Sequence, residues 1–264
     1  MLERYSGATR IYFIIGHPIA QVKAPAGMTR FFEAEGRDAL CVPIEVSPSG
    51  FDAFVAAVTD LSNVDGLAIT IPHKFAAARA CATVSERTRL LTTCNVMRRG
   101  PDHGWHGDML DGIGSVASLR AKGGSIAGKR ALLVGAGGAG SAIGLALLDE
   151  GAALLAVHDT DIGRRDALIA RLRQRHDGRV VAGSDDPAGF AIVSNATPVG
   201  MSPADPLPVD VERLEPGTFV CDAITLPEIT PLIRAARARG CPTSTGVDMF
   251  EAERRSMFDF WFAA

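Results

Sequence analysis

Residues 130–159, RALLVGAGGAGSAIGLALLDEGAALLAVHD, constrain this chain more than any other stretch, because they carry every part of a nucleotide-binding βαβ unit in order. Residues 131–134 are a short apolar run suited to a buried parallel strand, and Gly135, Ala136, Gly137, Gly138, Ala139 and Gly140 follow at once. In such a unit Gly135 serves the tight turn and Gly137 lets backbone N–H groups approach a pyrophosphate. Gly140 lets the helix expected over residues 141–150 pack closely on its strand. The phosphate then lies at that helix's N-terminus, where unpaired N–H groups and the helix dipole favour an anion. A second strand, expected over residues 152–157, runs into His158 and Asp159. The acid falls about 20 residues past the glycines, where a carboxylate accepts from adenosine ribose hydroxyls. A glycine-rich turn in an ordinary α/β fold leaves the position of that acid unexplained, so the segment predicts dinucleotide binding.

The 264 residues give room for two modest domains with sizeable cores. With 27 basic and 30 acidic residues the chain is near neutral, which offers no electrostatic attraction to nucleic acid or to an anionic membrane. No segment has the ~18 unbroken apolar residues of a membrane span, and the opening MLERYSGATR lacks the apolar region of a signal peptide, so a cytoplasmic protein is expected. The five cysteines are odd in number and never form a C-x-x-C pair, which points to buried thiols and away from zinc or a disulfide framework. The histidines are dispersed without H-E-x-x-H, and G-x-S-x-G is absent, so neither a metal site nor a hydrolase is indicated.

Upstream, IYFIIG over residues 11–16 reads as a buried strand closed by His17 and Pro18. A helix is expected over 24–35, a strand over 40–46, and a helix over 50–61 capped by Ser49. GLAITI, residues 66–71, predicts a third strand running into Pro72, His73 and Lys74. Strands alternating with helices predict a parallel α/β sheet, whose ligands bind beyond the carboxyl ends of the strands. Short helices over 75–82 and 85–91 are expected next, then a hairpin of 95–99 with 104–107 around a turn at Pro101 and Asp102, and a helix over 113–122. After Asp159 a charged helix over 164–175 is expected, then strands at 180–181, 190–195 and 219–222, a loop and helix, and an amphipathic helix over 246–262.

The segments GHPIAQVKAP, ITIPHK, the pair Cys94 and Asn95, GDMLDG, VGAGGAG, SNATPVGM and GVDM stand in this order along nearly the whole chain. Together they resemble the shikimate dehydrogenase family, NAD(P)-dependent enzymes that interconvert 3-dehydroshikimate and shikimate. The resemblance implies an α/β chain of two domains with a cleft between them. These are a substrate-binding and catalytic domain, residues 1–112 joined by a C-terminal helix over 246–264, and a Rossmann dinucleotide-binding domain, residues 113–245. It also implies that Lys74 and Asp111 form the pair beside the reacting hydroxyl. Oxidising a secondary alcohol needs a group to take the hydroxyl proton while hydride leaves carbon, and the reverse reaction needs a donor to the developing alkoxide. A structural Lys74–Asp111 salt bridge is the plainer alternative. By the same resemblance Thr70 and Asn95 contact substrate hydroxyls, Asn195, Ala196 and Thr197 run beside the cofactor, and Gly246 and Met249 lie near the nicotinamide. Thr70 as an ordinary strand residue, Asn95 as a turn residue and Met249 as core packing stay open.

Departures from the family pattern concentrate on the substrate. Val22 and Ala24 stand where two serines usually bind the substrate carboxylate, and Ala68 replaces an asparagine. Met109 and Leu110 replace an Asn-Thr pair, Thr225 a tyrosine, and Glu253 a glutamine. Losing hydrogen bonds to a charged group at roughly 1.5–3 kcal/mol each depresses affinity for shikimate by orders of magnitude, and an acid near a substrate carboxylate repels it unless protonated or paired. The expected substrate is therefore a cyclic or small hydroxy compound other than shikimate. The alternatives are a weak shikimate or quinate dehydrogenase and a non-catalytic dinucleotide-binding regulatory protein. Where NADP-using members carry Asn-Arg-Thr after the second nucleotide strand, this chain has Asp159, Thr160 and Asp161, which favours NAD. Arg164 and Arg165, a few residues on, argue for NADP. The chain itself is expected to be a monomer or a homodimer.

Overall fold

The structure, a computed structural model, describes residues 5–100 and 102–263. It divides into two compact units, Met1–Leu110 with Arg254–Ala264, and Asp111–Glu253.

The first unit contains β1 (Arg10–Gly16), α1 (Ala24–Ala34), β2 (Ala39–Glu45), α2 (Phe51–Thr59), β3 (Val64–Ile69), α3 (Lys74–Ala80), β4 (Thr83–Val84), α4 (Glu86–Leu91), β5 (Val96–Arg99) and β6 (Trp105–Asp108). Its sheet has the order β2-β1-β3-β5-β6-β4. β1 runs parallel to β2 and β3, but β5 is antiparallel to β3 and to β6. The parallel sheet expected from strand–helix alternation is thus a mixed one, the expected hairpin forming as β5 and β6 and joining the sheet antiparallel to β3. A connection as short as the one from Arg99 to Trp105 has no room for a crossover, so the chain must reverse. The Gly100 N–H donates to the Gly104 carbonyl at 2.7 Å across that reversal, while the expected turn residue Pro101 lies outside the described residues. Ser49 does not cap α2. It sits in a 3-10 turn, Pro48–Gly50, that leads straight into the helix, and Gly50 occupies the cap position.

Apolar residues from alternate positions of β1 and β3 meet one face of α2 in a core containing Ile15, Leu67, Ile69, Phe51, Val55 and Met97. Gly66 is required in β3, since a Cβ there would lie 2.7 Å from the Trp261 ring and from Tyr12. The Trp261 ring packs tilted against Tyr12, centroids 4.9 Å apart, and donates Nε1–H to the Met97 carbonyl at 3.2 Å, which fastens the C-terminal residues to this unit.

The second unit contains α5 (Asp111–Ala121), β7 (Arg130–Val134), α6 (Gly138–Asp149), β8 (Leu154–His158), α7 (Ile162–Arg173), β9 (Val180–Ala182), β10 (Ile192–Asn195), β11 (Phe219–Asp222), α8 (Pro231–Ala238) and β12 (Thr243–Ser244). The division between the units falls within α9 (Gly246–Phe262). The sheet order is β12-β11-β10-β7-β8-β9, and every pair is parallel. That is the doubly wound order, with the strand order reversing at β7, where such sheets bind ligands. α6 begins at Gly138, three residues before the expected start, because glycines and alanine at 138–140 take helical backbone without strain. Among the described residues no helix is long and apolar enough to cross a membrane, and no group of three or more His, Cys, Asp or Glu side chains is arranged to hold a metal ion.

Candidate active site

In the second unit the glycine loop leaves β7 at the reversal of strand order. Gly135 has φ +101°, a conformation that favours glycine, and a Cβ there would lie 2.9 Å from the Ala196 carbonyl carbon. A Cβ on Gly140 would fall 1.9 Å from the Gly135 carbonyl oxygen. Gly137 is different: nothing lies within 4 Å of where its Cβ would be. Two glycines therefore close the loop on itself and one leaves a face open. Gly137 is also the N-cap of α6 and offers no side-chain cap, so the first N–H groups of that helix, at Gly138 and Ala139, are left for another acceptor. A cradle open at its middle glycine, above an uncapped helix N-terminus, fits a pyrophosphate.

Asp159 follows β8, and its side chain is 7% exposed. Oδ2 accepts the Ala136 N–H at 2.8 Å and Oδ1 the Asp161 N–H at 2.9 Å. Thr160 is exposed, and Asp161 caps α7 by accepting the Arg164 N–H. The Arg164 guanidinium lies 3.8 Å from Asp159 and 3.5 Å from Asp161. The expected ribose acceptor is therefore already braced against the glycine loop, with a cation at its side.

The neighbouring strand β10 ends at Asn195, in register with Val134 on one side and Asp222 on the other. Asn195 Oδ1 accepts from Thr197 N–H at 3.1 Å and Thr197 Oγ1 at 2.7 Å, and its Nδ2 donates to the Asp222 carboxylate at 3.1 Å. Ala196 donates to the Val134 carbonyl, which ties this loop to the one that holds the glycines. Gly246 opens α9, and a Cβ there would strike the Ile224 carbonyl at 2.4 Å. Met249 is half-buried, Thr225 is half-buried in the loop after β11, and Glu253 is buried against Gly114 of α5. Asp111, also buried, is the first residue of α5.

In the first unit Lys74 opens α3, half-buried, and its carbonyl accepts the Cys94 N–H at 2.9 Å. Asn95 is the next residue. It is buried, and its Oδ1 accepts the Leu110 N–H at 2.7 Å, so it fixes the GDMLDG segment. Thr70 lies just past β3, its N–H bonded to the Ile15 carbonyl at 2.8 Å, and a Cβ on Gly16 would fall 2.5 Å from its methyl group. Lys74, Thr70 and Asn95 thus cluster at the ends of β3, α3 and β5. Val22 lies between β1 and α1, Ala24 opens α1, and Ala24, Ala68, Met109 and Leu110 are buried. None of these five side chains offers a polar hydrogen.

Two groups were not singled out in the sequence. Asp108 accepts from Arg87 Nε at 2.7 Å and Nη2 at 2.8 Å, from the Ser85 hydroxyl, and from Met109 N–H at 2.7 Å. Burial raises its pKa, but the Arg87 and Ser85 hydrogen bonds outweigh that and hold it below the ordinary carboxylate value. Asp222 is the other. Burial pushes its pKa up to about 6 against the donors Thr230, Ile224 and Asn195. The signal for both was a carboxylate as the last residue of a short strand, WHGD in β6 and FVCD in β11.

The shikimate dehydrogenase substrate-binding-domain family model matches residues 14–97. A protein of Acidiphilium cryptum named shikimate dehydrogenase (NADP(+)) is 35% identical over 97% of this chain and 92% of its own. This chain belongs to the shikimate dehydrogenase family. The crystal structure of a Corynebacterium glutamicum quinate dehydrogenase in complex with NAD has a TM-score of 0.85 at 28% identity, covering 97% of this chain and 94% of that one. A ligand-free Gluconobacter 5-ketofructose reductase has the same TM-score, 0.85, at 26% identity, covering 98% and 95%. The family's two-domain α/β architecture and its Rossmann unit are those described above.

Proposed function

We propose that this family member is a nicotinamide-dependent oxidoreductase acting on a hydroxyl carbon of a cyclic or small hydroxy compound, with Lys74 and Asp111 as its acid–base pair. The dinucleotide accepts or supplies the hydride. The chain's own part is to hold the pyrophosphate on the N–H groups of Gly138 and Ala139, with Asn195, Ala196, Thr197, Gly246 and Met249 orienting the reactive end. Lys74 takes the hydroxyl proton in oxidation and returns it in reduction. Asp111 holds the ammonium in place, and Thr70 and Asn95 bond substrate hydroxyls.

We infer that the substrate is not shikimate. The reading is supported by the set Val22, Ala24, Ala68, Met109 and Leu110, five positions that the sequence resemblance matches to the family's substrate contacts and that lack a side-chain donor, with Glu253 adding a carboxylate. Names among relatives and structural neighbours cover shikimate, quinate and 5-ketofructose, so the fold carries more than one substrate. A weak shikimate or quinate dehydrogenase is the second reading, favoured by the name of the Acidiphilium relative. The test is reduced-cofactor absorbance with a panel of cyclic alcohols and keto sugars. Fast turnover of shikimate at micromolar KM overturns the first reading and leaves the second.

We infer NAD as the cofactor, from Asp159 and Asp161 and the lack of an arginine at Thr160. NADP is favoured by Arg164, whose guanidinium stands at the rim of this turn, and by the NADP(+) in the relative's name. Titration of both dinucleotides at equal ionic strength decides between them, with tighter NADP binding overturning NAD.

A further inference from the structure

Asp222 is 2% exposed at the last position of β11. Three donors converge on its carboxylate: Thr230 Oγ1 at 2.7 Å on Oδ2, and Asn195 Nδ2 and Ile224 N–H, both at 3.1 Å, on Oδ1. Each donor belongs to a different segment. Asn195 ends β10 and, through its own Oδ1, holds Thr197. Thr197 Oγ1 in turn accepts the Val199 N–H at 3.1 Å. Ile224 is the second residue of the loop after β11, against which Gly246 packs. Thr230 caps α8 by accepting the Ile233 N–H at 3.2 Å.

We propose that Asp222 is a positioning residue, whose carboxyl group clamps together the loops that follow β10 and β11. These loops, at the carboxyl ends of the central strands, are where a doubly wound sheet meets its ligand. The clamp rests on the dinucleotide reading only for what the loops touch. The carboxylate accepts all three hydrogen bonds; in the acid Oδ1 still accepts from Asn195 and Ile224, and the O–H on Oδ2 can donate to the Thr230 hydroxyl, so the joint survives protonation.

A small pocket, with room for little more than a water molecule, adjoins the clamp, lined by Ser115 and Ser118 of α5, Asn195, Ser244, Thr245 and Met249 among others. Of its lining residues only Asp222 and Cys221 ionise. Burial drives the Cys221 thiol up to about 12, so it stays neutral while Asp222 titrates. From α5, β10, β12 and α9 the pocket receives neutral side chains, and Arg234 and Arg237 of α8 are exposed. The charge of Asp222 is therefore compensated by hydrogen bonds, including the α8 cap, and not by a cation, which is consistent with its value near 6.

Amide hydrogen exchange on the unliganded full chain tests this directly. In Asp222→Ala, residues 196–201 and 223–229 should exchange about tenfold faster or more, with the glycine loop 135–140 unchanged. In the wild type, after correction for intrinsic rates, protection of the same two segments should rise as pH is lowered from about 7 to 5, because the closed state holds the Asp222 proton more tightly than an opened, solvated one, and Asp222→Asn should abolish that dependence. Unchanged protection in Asp222→Ala overturns the clamp. If that variant fails to fold, identical pH profiles for wild type and Asp222→Asn overturn it instead. Dinucleotide affinity, measured separately, should follow the same pH profile. Its complete absence at every pH would refute the dinucleotide reading and leave the exchange result standing.

Discussion

Asp159 Oδ2 accepts the Ala136 backbone N–H at 2.8 Å, so the acid that ends one strand is a strut of the glycine loop that follows another. A carboxylate hydrogen bond of this kind contributes roughly 1.5–3 kcal/mol. Asp159→Ala is therefore expected to weaken NAD and NADP binding alike by about tenfold or more, through a loosened loop. Adding Thr160→Arg should restore NADP binding preferentially. Calorimetric titration of both dinucleotides against the three proteins checks this, and a loss confined to NAD would mean that the ribose contact outweighs the strut.

The glycines of the loop should separate stability from binding. Gly140→Ala places a methyl group 1.9 Å from a backbone oxygen, which has little freedom to yield, so unfolding free energy should fall by about 3 kcal/mol or more. Gly137→Ala meets nothing within 4 Å, so its denaturation midpoint should stay near wild type while the methyl group obstructs the pyrophosphate face. Chemical denaturation paired with dinucleotide titration reads both, and a Gly137→Ala protein that binds normally would show that the open face is not the phosphate site.

Lys74→Ala should lower turnover by about 10² to 10⁴ and leave dinucleotide affinity unchanged. Stopped-flow hydride transfer with the best substrate of the panel, beside cofactor titration, checks this. Wild-type turnover in the variant removes Lys74 from the chemistry.

Val22→Ser with Ala24→Ser should improve kcat/KM for shikimate by roughly ten- to a hundredfold, as two donors are returned to the carboxylate. Recovery should stay partial, because Ala68, Met109 and Leu110 are buried and still apolar. No gain in steady-state kinetics would mean that these positions do not face the substrate.

Much of this was legible in the residues. The βαβ unit could be read because its strand, glycines, helix and acid are contiguous, and the family could be read because its motifs fall at strand ends in fixed order. Side-chain partnerships between distant segments were not legible. Nothing in the spelling of GDMLDG says that Asp108 takes Arg87 as its partner, or that Asn95 spends one oxygen on Leu110. Asp159 was placed correctly at the end of β8, but its orientation toward Ala136 depends on the register of β7 and β8, which a linear pattern does not encode. The two-residue strands β4 and β12 carry no periodicity to detect and exist only because neighbouring strands offer them partners.

The raised pKa of Asp222, about 6, predicts a stability profile of defined sign. The native state holds the proton more tightly than the unfolded chain, whose aspartates titrate near 3.8. The associated stability is full below that unfolded value and is lost as pH rises through about 6, on the order of 3 kcal/mol in total. Asp222→Asn removes this loss, so its advantage over wild type in urea unfolding should grow between about pH 4 and 7 and then level off. A constant difference across that range would contradict a buried, titrating carboxylate.

The register that sets Val134, Asn195 and Asp222 side by side has an evolutionary corollary. Three strands that stop on one line leave a ledge whose height is decided by backbone pairing and by the apolar residues behind it. Loops leaving that ledge start from the same coordinates whatever their own residues are. Lineages can therefore exchange what grows from the ledge, a new acid here or a lost arginine there, without renegotiating the sheet. The turn from Asp159 to Arg164 leaves β8 from the same line, since His158 pairs with Val134.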